Sequence, residues 1–259
     1  MSKAYERLEQ QVGEAKAELM IHYMDEILQM NEHINLTAVR DPEEFIVKHL
    51  LDSLGCVGSP EWEKADTIAD VGTGAGFPGV PLAIMAPEKK ISLIDSLQKR
   101  LRVIDDITRS LDIQNTTTFH LRAEEAGQSK EHRERYDLCV SRAVASMNVL
   151  VEWCLPLVKV GGTFVAYKGE KAEDEIKEAE KAIRLLGGKI QSLGCLLLQS
   201  TGSKRKRRIF DPLSFFYLRD LILFVFKLLK DFLHFSPVMD IHLFVCSIEL
   251  GFQRFFPPR

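Results

Sequence analysis

The segment IADVGTGAGFPGVPLA, residues 68–83, joins a short apolar run to a loop with four glycines in eight residues. The apolar run passes through Asp70, and the glycines begin at Gly72. Because glycine has no Cβ and tolerates positive φ, such a loop lets the backbone turn sharply after a strand and approach a ligand. The segment therefore predicts a strand, a ligand-binding loop and a helix, in that order.

Short apolar runs alternate with helical patterns from residue 66 onward. The predicted strands are 67–71, 91–95, 115–120, 136–141, 162–168 and 188–198, and the predicted helices are 79–86, 97–110, 147–158 and 170–186. This βαβα alternation is typical of a doubly wound, mostly parallel sheet. We therefore expect an α/β, Rossmann-like domain over 66–200, with its ligand outside the carboxyl ends of the strands.

Residues 1–65 are predicted to form an N-terminal helical extension of this domain. Apolar residues recur at steps of three and four through the first 30 residues, which is typical of an amphipathic helix or a helix pair. A further helix is expected after Asp41-Pro42, because Asp is a good N-cap and Pro suits the first helical position.

Residues 201–259 depart from the βα pattern. They begin with the basic run KRKRR, residues 204–208, and contain eleven of the fifteen phenylalanines. Two interpretations remain open: an amphipathic helix for a partner or a membrane surface, or a foreign or frame-shifted end. The longest charge-free core, residues 221–226, is much shorter than the roughly 20 residues of a membrane span, so no membrane partner is expected.

Composition excludes several classes of function. The chain has 27% charged residues and a formal net charge of −3, so nucleic-acid binding would require a local basic patch. The five cysteines include no CxxC pair, and we predict neither a metal site nor a redox motif. Cys139 lies in the apolar run YDLCV, which favours a buried structural thiol. The polar N-terminus does not resemble a signal peptide, and a cytoplasmic location is expected.

The glycine loop admits two interpretations. Gly74-x-Gly76-x-x-Gly79 matches the dinucleotide-binding pattern, but Pro78 removes an N–H donor where a pyrophosphate needs one. The frame that starts at Asp70, Asp-x-Gly-x-Gly-x-Gly, instead resembles motif I of the S-adenosylmethionine-dependent methyltransferases. S-adenosylmethionine has no phosphate, and its ammonium and sulfonium groups would be attracted by an acidic strand end.

The next two strands add acidic residues at their ends. Asp95 closes the second strand, where a carboxylate can accept hydrogen bonds from both ribose hydroxyls. Ala123 and Glu124 follow the third strand, at a position suited to the edge of an adenine ring. Three such features at three successive strand ends favour a nucleoside-containing cofactor.

Two cations end the fourth and fifth strands, and both would face the same cleft. Arg142 and Lys168 are each able to bind a phosphate or the O6/N7 edge of guanine, although a solvated strand-end cation remains the alternative. Arg122 lies beside the predicted adenine position, and with its neighbours Lys99, Arg100 and Arg102 it would extend a local basic rim. His49 and Asp52, three residues apart on the N-terminal helix, either help cover the cofactor or are surface polar groups.

With these residues in place, the sequence is similar to the bacterial small-subunit ribosomal RNA methyltransferase G family, also called GidB. The matching segments are NLTAVRDPEEFIVKHLLDS (35–53), ADVGTGAGFPGVPLA (69–83), LIDSLQKR (93–100), RAEE (122–125), DLCVSRAVAS (137–146) and YKGE (167–170). The resemblance implies a class I methyltransferase fold. It also implies methyl transfer from S-adenosylmethionine to N7 of one guanine in 16S ribosomal RNA of the small ribosomal subunit.

The resemblance also implies roles for individual residues. Cofactor contacts are expected from Gly72, Gly74, Phe77, Asp95, Ala123, Glu124 and Arg142; catalytic roles from Arg142 and Lys168; and RNA contacts from Arg122 and Lys168. A monomer is expected. Two alternatives are a class I methyltransferase acting on a small molecule and a non-catalytic nucleotide-binding module that docks through its N-terminal helices.

One expected strand has no clear counterpart. The family closes its sheet with a final strand inserted between the fifth and sixth strands, and the resemblance fades near residue 203. The run HLFVCSIEL, residues 242–250, is a distant candidate for this strand. Without a replacement we expect a gap in the sheet and an exposed apolar tail.

Overall fold

The computed structural model describes residues 2–142, 145–169 and 172–191 in full, and the backbone of 192 and 196–200. The predicted tail 201–259, including the strand candidate 242–250, lies outside the described residues. Within the described residues, no helix is both long and apolar enough to cross a lipid bilayer.

The described strands form one seven-stranded sheet in the order β3-β2-β1-β4-β5-β7-β6. Their bounds are β1 Thr67–Val71, β2 Lys90–Asp95, β3 Thr116–His120, β4 Tyr136–Arg142, β5 Val158–Tyr167, β6 Gly188–Ser192 and β7 Leu196–Ser200. The first five strands pair in parallel, and β7 runs antiparallel to both β5 and β6. This topology confirms the predicted α/β class with a mostly parallel sheet.

The predicted single strand 188–198 is wrong, because the chain forms two strands there. β6 and β7 pair antiparallel, with Gly188 opposite Ser200. β7 occupies the position between β5 and β6, so residues 196–200 supply the strand expected from the family resemblance, and the predicted gap is filled. Residues 242–250 are therefore not needed for this position.

The N-terminal extension begins with the predicted helix pair. α1 Lys3–Val12 and α2 Glu14–Met30 meet at Gly13, whose φ of 84° breaks the helical path. The later helix starts as predicted: α3 Pro42–Phe45 is capped by Asp41, whose side chain accepts the N–H of Glu44 at 2.8 Å. Such a cap stabilises a helix by about 1 kcal/mol.

The remainder of the extension is less regular. A π-helix over Ile46–Leu51 continues α3, and it is followed by a short 3₁₀ turn, Leu54–Cys56, and by α4 Pro60–Lys64. π-helical turns are rare and often mark functional sites. This one carries His49 toward the glycine loop.

Helices cover both faces of the sheet. They are α5 Gly79–Met85, α6 Gln98–Ser110, α7 Ala123–Gln128, α8 Met147–Cys154 and α9 Ala172–Leu185. The predicted helix 147–158 is too long: it ends at Cys154, a 3₁₀ turn follows, and β5 begins at Val158, four residues before the predicted start. Pro156 lies in that turn and lacks the N–H that a continuing helix would need.

Alternate strand residues enter two separate cores, because successive side chains of a strand point to opposite faces. One core contains α1, α2, the π-helix, α5 and α6, together with Ile68 and Leu93 of the sheet. The other contains α7, α8 and α9 with Ala69 and Ile94. The N-terminal extension therefore packs directly on the sheet, next to the carboxyl end of β1.

Candidate active site

The glycine loop, residues 72–79, uses its own backbone donors internally. Six of its N–H groups already have acceptors. Those of Gly72 and Thr73 donate to the Ile94 carbonyl, and those of Gly76 and Phe77 donate to the Thr73 carbonyl. Those of Gly74 and Gly79 donate to the side chains of Asp95 and Asp70, respectively. Pro78 has no N–H, so at most one donor of the loop remains for a ligand. A pyrophosphate cradle requires several free N–H groups, and this loop does not provide them.

The four glycines serve two different purposes. Gly74 has a φ of 61°, and a Cβ there would meet only a backbone oxygen at 3.9 Å, so it leaves the loop open toward the cavity. Gly76 has a φ of 83°, and its Cβ would lie 2.2 Å from the hydroxyl of Tyr23. The expectation that every later glycine lets a ligand approach is therefore wrong for Gly76, which makes room for a side chain of α2.

Asp70 lies beneath the loop and is fully buried. Its Oδ2 accepts hydrogen bonds from the Thr73 hydroxyl at 2.7 Å and from the Gly79 N–H at 2.8 Å. Its Oδ1 has no partner among the described residues. Burial raises the pKa of Asp70 to about 6, and the two hydrogen bonds oppose this rise. Asp70 is thus a support of the loop, and it is not part of the cavity wall.

A cavity of about 490 Å³ opens at the carboxyl ends of β1 to β4. This volume is within the range of roughly 300 to 1,000 Å³ that is usual for small-molecule sites. The residues that line it are Leu36, Thr37, His49, Val71, Gly72, Thr73, Gly74, Ala75, Phe77, Ile94, Asp95, Ser96, Leu97, Arg100, Leu121, Arg122, Ala123, Glu124, Arg142 and Trp153. Every predicted cofactor residue is in this set, as is Arg122, and Lys168 is not.

Asp95 lies at the end of β2, in the cavity wall, and is 7% exposed. Its two carboxylate oxygens accept the N–H groups of Gly74 and Leu97, at 2.9 and 2.8 Å. Each carboxylate oxygen can accept a second hydrogen bond, so the group is held in place and can still bind hydroxyls. Ala123 and Glu124 begin α7 on the same side of the cavity.

Phe77 is the centre of a cluster that joins the glycine loop to the extension. Its ring makes edge contacts with Tyr23 and Phe45, at centroid distances of 5.8 and 5.5 Å. The ring stacks on His49 at 5.0 Å, and the guanidinium of Arg142 lies 5.5 Å from its centroid. Phe77 lines the cavity, but most of its surface is covered by these neighbours, and it is 5% exposed.

Arg142 ends β4 and is held by the residues around the π-helix. Its Nη1 donates to the Lys48 carbonyl at 3.1 Å and to Asp52 at 2.9 Å. Its Nη2 lies 3.2 Å from Nδ1 of His49. Of the two interpretations of His49 and Asp52, simple surface polarity does not hold. Both residues contact Arg142 of the cavity wall, and His49 is itself in that wall.

Lys168 does not reach the cavity. Its ammonium pairs with Glu175 of α9 at 2.7 Å and donates to the carbonyl of Ala145, and its side chain is 10% exposed. Glu175 also accepts the N–H of Met147 at the start of α8. The expectation that Lys168 and Arg142 face the same cleft is therefore wrong, because an acidic residue on α9 draws the ammonium to the segment that follows β4.

The sequence interpretation missed several cavity residues. Thr37 accompanies His49, Leu97 follows the second strand, and Trp153 projects from α8. Leu97 is 50% exposed, which is unusual for a large apolar side chain and could have been suspected from its place two residues after Asp95. Trp153 had no such signal, because it belongs to an apolar helical face.

Cys139 is a buried thiol, as predicted. It is 0% exposed on β4, and burial raises its pKa well above the usual range. A thiol that resists ionisation is a poor nucleophile, so Cys139 is suited to packing.

Comparison with known proteins is consistent with this geometry. Residues 16–204 match the family described as rRNA small subunit methyltransferase G, GidB. A ribosomal RNA small subunit methyltransferase G of Alkaliphilus metalliredigens is 47% identical over 179 residues, which cover 69% of this chain and 75% of that protein. Proteins of the same name from Clostridium perfringens (strain 13) and Clostridium beijerinckii are 39% and 44% identical, over 83% and 79% of this chain and 90% and 85% of theirs.

The matched residues include every strand of the sheet and every residue of the cavity wall. This chain therefore belongs to the rRNA small subunit methyltransferase G family and is an S-adenosylmethionine-dependent methyltransferase.

Proposed function

We propose that this protein transfers a methyl group from S-adenosylmethionine to N7 of a guanine in 16S ribosomal RNA. The observation that carries the proposal is the cavity at the carboxyl ends of β1 to β4, which is built by Asp95 and by a glycine loop that already uses six of its seven N–H donors. The family match, which names ribosomal RNA in its description, supports the choice of substrate.

The residues present fit a phosphate-free, positively charged cofactor. Asp95 offers a fixed carboxylate for the hydroxyls of a ribose, and Asp70 adds a second acidic group directly beneath the loop. A loop with at most one spare N–H group, directly above the carboxylate of Asp70, would not hold a pyrophosphate. The same arrangement attracts an ammonium or a sulfonium group.

The chemistry requires little from the protein beyond placement. S-adenosylmethionine, when bound, supplies a methyl group on a sulfonium sulfur, which leaves as a neutral thioether. Guanine N7 bears a lone pair and no proton, so the new N–C bond forms without a general base, and the guanine gains the positive charge. Alignment and the exclusion of water are then the main tasks, and the packed wall of Phe77 and His49 serves the second.

The rim of the cavity suits an RNA strand. Arg100 and Arg122 line the cavity, and neither forms an ion pair with the described residues. The methionine carboxylate of the cofactor offers a single anion, so two unpaired arginines leave at least one cation for RNA phosphates. The net charge of the chain is −3, so RNA binding requires a local basic patch, and these two arginines would provide it.

We assign Lys168 a positioning role in transfer, in place of the direct catalytic and RNA contacts expected from the sequence. Its contacts with Ala145 and Glu175 would fix the residues that immediately precede α8. The ribosomal substrate is found in the cytoplasm, and we expect the enzyme there, as a monomer. Size-exclusion chromatography with light scattering tests the oligomeric state.

The proposal is tested with small ribosomal subunits from cells that lack this enzyme. The purified chain and tritiated S-adenosylmethionine should label 16S RNA, and borohydride reduction with aniline cleavage should map the label to one N7-methylguanine. Asp95→Ala protein serves as the inactive control. A folded protein that binds S-adenosylmethionine and labels no guanine N7 would contradict the RNA assignment and favour a small-molecule substrate. Binding of NAD alone would overturn the methyltransferase assignment.

A further inference from the structure

Arg142 and Asp52 form an ion pair that runs outward from the cavity. Nη1 of Arg142 lies 2.9 Å from Oδ2 of Asp52. The side chain of Arg142 is 12% exposed and lines the cavity, whereas that of Asp52 is 51% exposed and lies outside the wall. The cation therefore faces the methyl-transfer site and the carboxylate faces solvent at its rim.

Both members of the pair keep unused hydrogen-bonding capacity. A guanidinium has five N–H donors, and the contacts with Lys48, Asp52 and His49 account for three of them. The Nε–H and one Nη2–H have no acceptor among the described residues. Oδ1 of Asp52 likewise receives no hydrogen bond from them. A donor and an acceptor are thus available side by side.

A half-exposed carboxylate is costly on a surface that receives RNA, because it repels phosphates. Asp52 is also not the sole support of Arg142, since the Lys48 carbonyl and Nδ1 of His49 hold the same guanidinium. A carboxylate at this position is useful if the RNA brings N–H donors to it. The Watson–Crick edge of guanine carries two such donors, N1–H and the N2 amino group.

We infer that Arg142 and Asp52 together read the target guanine, an assignment that rests on the proposed function. Around its edge guanine presents N7, O6, N1–H and the N2 amino group, in that order. Arg142 donates to O6, and Asp52 accepts from N1–H and N2. With O6 on Arg142, N7 falls on the cavity side and the donors fall on the Asp52 side. Adenine is rejected, because it has an amino group in place of O6 and no N1–H.

The competing role for Asp52 is purely one of positioning, in which it holds Arg142 and never touches RNA. The two roles are separated by changing the base and the enzyme in one experiment. Inosine keeps N7, O6 and N1–H of guanosine and lacks only the N2 amino group. Small subunits are assembled with guanosine or inosine at the nucleotide that the wild-type enzyme labels, and kcat/KM for tritiated methyl transfer is measured on both.

Three proteins are compared on the two substrates. The intrinsic ratio of N7 reactivity, guanosine over inosine, is measured with dimethyl sulfate on the two free RNAs. The kcat/KM of wild type should favour guanosine by roughly ten-fold more than this ratio. Asp52→Asn keeps an oxygen for Arg142 but loses the charge, and its preference should fall to within about two-fold of the intrinsic ratio. Glu44→Gln is the matched control, because it neutralises another exposed carboxylate, paired with Lys48, and should retain the wild-type preference.

The outcomes that overturn the assignment are distinct. Wild type without extra preference for guanosine excludes contact with N2. Asp52→Asn that is slower on both RNAs but keeps the full preference shows that Asp52 only positions Arg142. Wild type that labels neither RNA overturns the proposed function, and this assignment with it.

Discussion

The imidazole of His49 lies nearly parallel to the ring of Phe77, with centroids 5.0 Å apart and 14° between the planes. His49 belongs to the π-helix of the N-terminal extension, and Phe77 belongs to the glycine loop. Arg142 can only donate, so Nδ1 of His49 accepts from it, and the proton resides on Nε2, which faces the Thr37 hydroxyl at 2.7 Å. The extension is therefore a structural part of the cavity wall.

His49 should make stability depend on pH. Burial, and then the nearby charge of Arg142, lower its pKa to about 4 in the folded protein, from 6.5. Between pH 6.5 and 4 the unfolded chain protonates His49 and the folded chain does not. The contribution of the neutral His49 to the free energy of unfolding is therefore fully present above pH 6.5 and is lost as pH falls toward 4. Relative to His49→Phe, which preserves the stacking, wild type should lose about 1 kcal/mol of unfolding free energy, a value reduced for partial exposure of the ring. Urea unfolding between pH 4 and 7.5 measures this, and parallel curves for the two proteins would refute it.

Asp70 should act in the opposite direction. Burial raises its pKa to about 6, from 3.8, so the folded protein holds a proton that the unfolded chain has lost. The contribution is fully present below pH 3.8 and is lost as pH rises through 6. The stability of Asp70→Asn relative to wild type should therefore improve by about 2 kcal/mol between pH 4 and pH 8. Denaturant titrations of both proteins at the two pH values provide the check, and a constant difference would mean that Asp70 titrates normally.

Asp95 should control cofactor affinity. Its replacement by Ala removes the acceptor for the Gly74 N–H and the carboxylate that we assign to the ribose. The Kd of S-adenosylmethionine, measured by calorimetry, should rise by roughly ten- to a hundred-fold, as expected for the loss of hydrogen bonds to a charged group. Asp137→Ala is the matched control, because Asp137 pairs with Lys159 near the start of β4, away from the cavity, and its loss should leave that Kd unchanged. Equal effects of the two variants would exclude a specific role for Asp95.

Lys168→Ala should slow methyl transfer without changing cofactor affinity. Among the described residues, the ammonium of Lys168 bonds Ala145 and Glu175, and neither of these lines the cavity. Since the effect passes through this segment, Glu175→Gln should slow single-turnover transfer to a similar extent, and both variants should bind S-adenosylmethionine within about two-fold of wild type. Loss of cofactor binding in Lys168→Ala would show that the assigned role is wrong.

The elements around the glycine loop could be predicted because their signals are local. An apolar run that ends at Asp70 and is followed by Gly72 encodes a strand and a turn within a few residues. The placement of Asp95 and Glu124 followed from the rule that parallel strands end at one edge of a sheet. The cavity wall confirms that placement for both residues.

The features that were missed depend on how the elements pack. Lys168 lies close in sequence to several acidic residues, 173–175, and only the placement of α9 against α8 selects Glu175 as its partner. The division of 188–198 into β6 and β7 did have a local signal, because Gly194 lies between Ser192 and Leu196, but the single-strand prediction overlooked it. The π-helix has no known sequence signature, so the contact of His49 with Arg142 could not be foreseen.

The position of β7 has a consequence for biosynthesis. Of the described strands, β7 is the last to be translated, yet it lies between two strands that are made before it. A nascent chain that has emerged only as far as β6 leaves β5 with an unpaired edge and gives β6 no neighbour. Two of the seven described strands, β6 and β7, must therefore wait for residues 196–200, and a chain that ends before them would leave β5 with an unpaired edge that can pair with other chains.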